Sequence, residues 1–276
     1  MPLNKNFIFS AHNLQDFLDC PRRFELKHIL KQDWPAIISQ PVQEMENKIQ
    51  TGNRFHQLAH QYLSGIPGDL LLSSTSEPDL LNWYAKFQGY ITQFETFPHF
   101  SEFSIFMPFE GYRMVAVFDF ITMTDKKKMV IADWKTTSRL PKKATYIQFI
   151  QSHLYPFIAY ETRQSIFNNT DFLQPQDISM EYWFPAFPEA AITLEYSRAG
   201  LAASQELLTR LISEISNTTL SAFEKTTNVK RCAYCQYRSL CERGIQAGEF
   251  EDTEHEPGSD ASLDDLGFDQ IDEIAF

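Results

Sequence analysis

The chain lacks the features that would place it in a membrane or a repeat array. No apolar run approaches the roughly 18 residues that a membrane-spanning helix needs. The opening residues, MPLNKNFIFS, do not follow the order of a secretory signal. No internal repeat is visible. Cysteine is scarce, with four in 276 residues. Without an export signal, those four point to metal or redox chemistry before disulfides, and the expected location is cytoplasmic with no membrane partner. Basic residues are missing from one stretch altogether: Gly248 to Phe276 holds 11 acids and no Lys or Arg. Removing those 11 from the formal charge of −12 leaves about −1 for residues 1–247. The acidity of the whole chain therefore does not exclude a local basic groove for nucleic acid.

What remains is a soluble globular composition. Hydrophobic residues make up 43% and charged residues 22%, with phenylalanine unusually common at 24. The length suits one large domain or two small ones. Ser10 can cap a helix running to about Lys31, with Pro21 breaking or kinking it. Further helices are expected over Val42–Leu63, Pro78–Phe94, Ala144–Arg163 and Ala199–Phe223, and a loop over Gly65–Glu77. Strands are expected over Glu102–Phe109, Asp177–Phe184 and Ala191–Tyr196. The order of elements predicts an α/β fold with a mixed sheet. Residues 1–247 form its body, and residues 248–276 read as an acidic, disordered tail.

The chemistry concentrates in a hairpin, Met114–Met123 and Met129–Trp134, joined by Thr124, Asp125 and three lysines. Asp119 lies inside the first strand and Asp133 near the end of the second. Lys135 follows two positions later, on the same face as Asp133. A carboxylate in an apolar strand is costly unless paired or metal-bound. Two carboxylates and a lysine converging there can hold Mg²⁺ or Mn²⁺ and steady a developing anion, which is the chemistry of phosphodiester cleavage. A strand end carrying a surface salt bridge would show the same D-x-K, so other motifs must carry the distinction.

Cys232, Cys235 and Cys241 are spaced C-x2-C-x5-C, and Cys20 is the one other cysteine. The four can make a tetrathiolate site for Zn²⁺ or an iron–sulfur cluster. The absence of a second C-x2-C knuckle fits a four-iron cluster better. His56 stands in a predicted helix, four residues before His60, but without the adjacent Glu of a zinc protease. Gln151 and Tyr155 fall on one helix face. Arg22 and Arg23, beside Cys20, can contact phosphate or be a solvated pair.

Taken together and in order, these motifs resemble the PD-(D/E)XK nuclease superfamily, in particular RecB-like nucleases with an iron–sulfur staple. That branch includes the nuclease domain of AddB and CRISPR-associated exonucleases. The resemblance runs from Ser10 to about Arg243. It comprises Cys20-Pro-Arg-Arg-Phe24, Gly52-x3-His56, Asp119, Asp133-Trp-Lys135, Gln151-x3-Tyr155 and the cysteine triplet. Two positions depart from the family pattern: Ala116 stands where glycine is usual, and Trp134 where tyrosine is common. The resemblance implies a restriction-endonuclease-like mixed sheet flanked by helices, with the cluster stapling the N- and C-terminal segments. It implies metal ligation by His56, Asp119, Asp133 and the Trp134 carbonyl, catalysis by Lys135, and positioning of DNA and site by Gln151 and Tyr155. Cys20, Cys232, Cys235 and Cys241 would bind a [4Fe–4S] cluster, and Glu102 is a weaker metal candidate. The expected activity is metal-dependent DNA cleavage, as an exonuclease on single-stranded ends, in repair, recombination or CRISPR adaptation. The rivals are a cleavage-deficient DNA-binding subunit and a redox sensor. The tip Asp272-Glu-Ile-Ala-Phe276 resembles the acidic tails by which single-strand DNA-binding proteins recruit partners. The tail could instead cover the basic groove, since its charge resembles a run of phosphates.

Overall fold

A computed structural model describes residues 3–33, 40–73, 75–232 and 235–244. The acidic segment, and with it the expected tail contacts, lies outside the described residues. The chain opens with a short strand, β1 (Ile8–Phe9), and helix α1 (Ala11–Asp19). Ser10 caps α1 as its sequence predicts: its Oγ accepts the Asn13 N–H, and Asn13 Oδ1 accepts the Ser10 N–H. Cys20 then takes an extended conformation, because the following proline ring disfavours the helical one. Pro21 sits where its missing N–H costs nothing, at the first position of α2 (Pro21–Phe24). This short helix runs into a π-helical turn, Glu25–Ile29. Helices α3 (Gln40–Leu63), α4 (Gly68–Ser73) and α5 (Pro78–Ile91) follow. The three central strands come next: β2 (His99–Phe109), β3 (Tyr112–Met123) and β4 (Met129–Trp134). The remainder is α6 (Lys143–Tyr146), α7 (Gln151–Glu161), α8 (Arg163–Ile166), β5 (Ile178–Trp183), β6 (Ile192–Glu195) and α9 (Arg198–Asn217).

Four expectations change. The segment expected as a loop over 65–77 contains α4, because Leu71 buries itself in the core and packing overrides the loop-like composition. The helix expected over 144–163 breaks into α6 and α7. Around this break Tyr146, Phe149 and Ile150 all turn into the core, and the Ser152 hydroxyl donates to the Tyr146 carbonyl at 2.5 Å. The helix expected to reach Phe223 ends at Asn217, which frees Phe223 to pack against Phe17 and Phe24. The strand expected to begin at Glu102 begins at His99, so Glu102 lies inside β2.

The six strands among the described residues form one mixed sheet in the order β1-β3-β4-β5-β6, with β2 paired along β3. One edge of β3 carries β2 from Tyr112 to Thr122. Its other edge is shared: β1 pairs in parallel at Arg113 and Met114, and β4 pairs antiparallel from Phe120 to Met123. β4 continues in parallel with β5 to Trp134. Two apolar clusters cover the sheet. One joins Phe118, Ile131 and Met180 to α1, α7 and α9. The other joins Phe120, Trp134 and Trp183 to α3 and α5.

Candidate functional site

The site lies where β3 and β4 part. Their ladder ends at Phe120 and Ala132. The next residues, Asp119 and Asp133, do not pair as strand partners. Beyond them β4 stays with β5, and the Lys135 N–H donates to the Trp183 carbonyl at 2.9 Å. The opening between the strands is bridged by a side chain instead: Asp119 Oδ2 accepts the Trp134 N–H at 2.7 Å. A second irregularity faces it. Phe118 and Phe120, two apart in β3, should share a face, yet they pack into opposite clusters. The strand changes phase at Asp119. Across the ladder the corresponding residue is Glu102, whose φ of +50° is left-handed backbone that a non-glycine residue rarely adopts. β2 and β3 keep their register on both sides of this break.

The wedge gathers side chains from both faces of the sheet. From α3, His56 Nδ1 approaches Asp119 Oδ1 at 3.4 Å. One ligand atom each from His56, Glu102 and Asp119 fall within 4.8 Å of one another. From α7, Gln151 Nε2 donates to Asp133 Oδ1 at 2.6 Å. Lys135 Nζ stands 2.9 Å from Asp133 Oδ2. Strand alternation accounts for that last pair, since Asp133 and Lys135 point one way while Trp134 between them points into the opposite cluster. His56, Asp119, Asp133, Lys135 and Gln151 are all at most 7% exposed.

Five polar groups at this depth are expensive to keep. Burial pushes the Asp133 carboxyl up to about 7; Lys135 opposes that rise and Asp119 adds to it. Burial also pushes against the charged forms of Asp119 and His56, but each rescues the other. The Asp119 carboxyl is held below its ordinary value by His56, Lys135 and the Trp134 N–H. The His56 imidazole is raised to about 9, chiefly by Asp119, with Glu102 and Asp133 adding to it. Two buried atoms are held by ion pairing without a well-formed hydrogen bond: His56 Nδ1, beside Asp119, and Asp133 Oδ2, beside Lys135. An imidazole nitrogen and carboxylate oxygens turned together at this depth are the donor set of a divalent cation. The residues fit the metal that the sequence implies, and Glu102 joins them more closely than its sequence position suggested.

The other predicted residues are placed as follows. Tyr155 is buried, its ring 5.3 Å from that of Phe118. Arg22 pairs with Glu25, and Arg23 lies 2.7 Å from Asp16 and 2.8 Å from Asp19. His60 belongs to another group, with Nδ1 2.8 Å from Ser101 Oγ. Cys20, Cys232, Cys235 and Cys241 line one small cavity, as free thiols. Arg23, Lys225, Arg238 and Arg243 line it as well. Burial raises the thiols of Cys232, Cys235 and Cys241, that of Cys235 to about 11. Four sulfurs ringed by four cations suit an anionic metal–thiolate centre, which would reverse that rise.

One feature of the site escaped sequence reasoning. A Cβ on Gly52 would stand 2.7 Å from Thr136 Oγ1, so α3 can lie against the strand end only without a side chain there. Gly52 is one turn before His56, and this approach sets the depth of His56 in the wedge. The Gly-x3-His spacing carried the signal, but its partner Thr136 is far off in sequence.

No curated protein matches the chain. Among solved structures it is similar to SSO0001, with 15% identity over 85% of both chains and a TM-score of 0.37. It is also similar to a protein from Eubacterium rectale named as a candidate exonuclease, with 11% identity, 89% of this chain and 91% of that one covered, and a TM-score of 0.48. The model of the PD-(D/E)XK nuclease superfamily matches residues 8–242, nearly all of the described chain and every residue of the wedge. The chain belongs to the PD-(D/E)XK nuclease superfamily, whose members use divalent metals to hydrolyse nucleic acids.

Proposed function

We propose that this chain is a metal-dependent deoxyribonuclease that works from single-stranded DNA ends. The observation that carries the reading is the wedge itself, where His56, Glu102, Asp119, Asp133 and Lys135 are gathered at one place in the sheet. A cleavage-deficient relative would have no reason to keep a buried lysine beside a carboxylate in an otherwise apolar sheet. His56, Glu102, Asp119 and Asp133 would hold Mg²⁺ or Mn²⁺. When bound, the ion supplies charge stabilisation at the scissile phosphate and a lowered pKa for the attacking water. The chain's own residues do the rest. The Trp134 N–H fixes the Asp119 carboxylate, and Gln151 fixes Asp133. Asp133 in turn holds the Lys135 ammonium, whose fixed charge meets the negative charge that grows on the phosphoryl oxygens. Tyr155 acts from beneath, by packing under β3 at Phe118.

In the same reading the four cysteines hold a [4Fe–4S] cluster. The all-cysteine, cation-ringed cavity supports that assignment, and the protein works with DNA in the cytoplasm. The test uses end-labelled single-stranded and duplex DNA with Mg²⁺ or Mn²⁺. The wild type should shorten single-stranded ends, and Lys135→Ala should lose activity by about 10²-fold or more while still binding DNA. Equal cleavage by Lys135→Ala, or none by a metal-loaded wild type, would sink the proposal.

A further inference from the structure

A second group of metal-ligating side chains lies away from the wedge. His12 and Asp16 are four apart on α1 and share a face. His28 reaches the same point from the π-helical turn. One ligand atom each from His12, Asp16 and His28 lie within 4.8 Å of one another. The two imidazoles converge on one oxygen, at 3.3 Å for His12 and 2.7 Å for His28. A tetrahedral zinc with bonds of about 2.0–2.1 Å would set its ligand atoms about 3.3 Å apart. The His12–Asp16 edge already has that length, and the His28 edge needs to open by about half an ångström.

The surroundings are those of a prepared site. Asp16 Oδ1 is held by Arg23 at 2.7 Å, which leaves Oδ2 for the shared point. Ligating carboxylates ordinarily have such an outer partner. A cation is already present: Lys27 Nζ stands 2.6 Å from His12 Nε2 and 3.5 Å from Asp16 Oδ2. An ammonium can only donate, so a contact this short calls for the lone pair of His12 Nε2 as its acceptor. Lys27 is the most exposed of the group, at 36% of its side chain, and can swing into water; the Asp16 and His28 side chains are 8% and 10% exposed.

We propose that His12, Asp16 and His28 form a binding site for a divalent transition metal of the zinc class, and that the Lys27 ammonium occupies it in the metal-free chain. Two imidazoles and one carboxylate favour zinc over magnesium or calcium, with a fourth position left to water. The metal would tie α1 to the π-helical turn across the Cys20–Pro21 break. Arg23 lines the cysteine cavity and holds Asp16, so the site would also brace that cavity. The inference uses no residue of the wedge and stands independently of the nuclease reading.

Cobalt(II) titration of the full chain tests it. Cobalt bound here gives visible d–d absorption without the thiolate charge-transfer band that binding at the cysteines would add. His28→Ala should weaken cobalt binding in that component by about tenfold or more. Lys27→Met should tighten it by about tenfold, because the competing charge is gone. A plain ion-pair network predicts the opposite for Lys27→Met, namely no gain in cobalt affinity. Unchanged or weaker cobalt binding by Lys27→Met, or an identical spectrum for His28→Ala, overturns the proposal. Lys27→Met replaces the group's most exposed side chain, so it decides even where His28→Ala fails to fold.

Discussion

At the scale of single residues, the wedge is defined by what its charges do to one another. His56 is raised from an ordinary 6.5 to about 9, so the metal-free fold is favoured by its proton below about 6.5 and loses that benefit as pH rises through 9. Asp133 is raised from 3.8 to about 7, so the fold binds a proton there that the unfolded chain has released, and stability falls with pH from about 4 to 7. Asp119 is lowered and acts in the other sense, losing its contribution only under acid conditions below 3.8. The metal-free protein should therefore melt at progressively lower temperature from about pH 5 to 9, and Asp133→Asn should flatten the lower half of that slope. Divalent metal must displace the protons of His56 and Asp133, so its affinity should rise over the same range with proton release. Calorimetry in buffers of different ionisation enthalpy measures that release. Metal binding without proton release would mean that His56 and Asp133 are not the ligands. Asp119, Asp133 and Lys135 were legible in the sequence because charge in an apolar strand is rare and needs a reason. The partnership of Gln151 with Asp133 was not, since 18 positions and a broken helix separate them.

At the scale of elements, the site exists because two regular devices fail in the same place. β3 and β4 separate beyond Phe120, and β2 passes Asp119 with Glu102 in left-handed backbone. Neither failure could be read from hydrophobic periodicity, which is nearly continuous through Met114–Ile121 because both faces of β3 are buried. The hairpin was legible for its strand propensity and polar turn; the phase slip was set by packing on both sides. Glu102→Gly should relieve the strained backbone and raise the melting temperature of metal-free protein, by up to about 1 kcal/mol of stability, while weakening metal binding. Glu102→Gln should weaken metal binding without that gain. If both variants bind Mn²⁺ like wild type, Glu102 is no ligand. The contact of α3 with the strand end gives a second test. Gly52→Ala should cost about 1–3 kcal/mol of stability through overpacking on Thr136 and lower cleavage by shifting His56. Thr136→Ala removes the clashing Oγ1, so the double variant should recover both. A double variant no better than Gly52→Ala alone would show that Thr136 is not what the glycine accommodates.

At the scale of the whole molecule, the two ends of the described chain are sewn together with or without a metal centre. Glu25 is fully buried and accepts from Arg22 and from the Ser221 backbone. Asp19 pairs with Arg231, the Arg22 N–H donates to the Glu224 carbonyl at 3.0 Å, and Tyr237 reaches the Gln32 carbonyl at 3.0 Å. These contacts bring Cys20 to Cys232, Cys235 and Cys241 across some 210 residues of sequence. The cysteine spacing foretold the meeting, but the polar stitches around it were invisible without the fold, since no local rule links Glu25 to Ser221. They also change what losing a thiolate should do. A cluster that binds the folded chain alone adds its binding energy to folding. The stitches would keep the seam closed in a chain without the proposed cluster. Cys20→Ala, purified without oxygen, should therefore lose the brown colour and the iron, melt at lower temperature than wild type, and still be folded at 25 °C with the sheet intact. Glu25→Gln added to it removes the charge that holds Arg22 and should destabilise the seam much further than in the cluster-loaded protein. Iron content, visible absorption and thermal melts of the four proteins measure this directly. A colourless wild type carrying one tightly bound zinc would assign the cavity to zinc. Equal effects of Glu25→Gln with and without Cys20 would show that the metal centre and the stitches do not share the work of closing the fold.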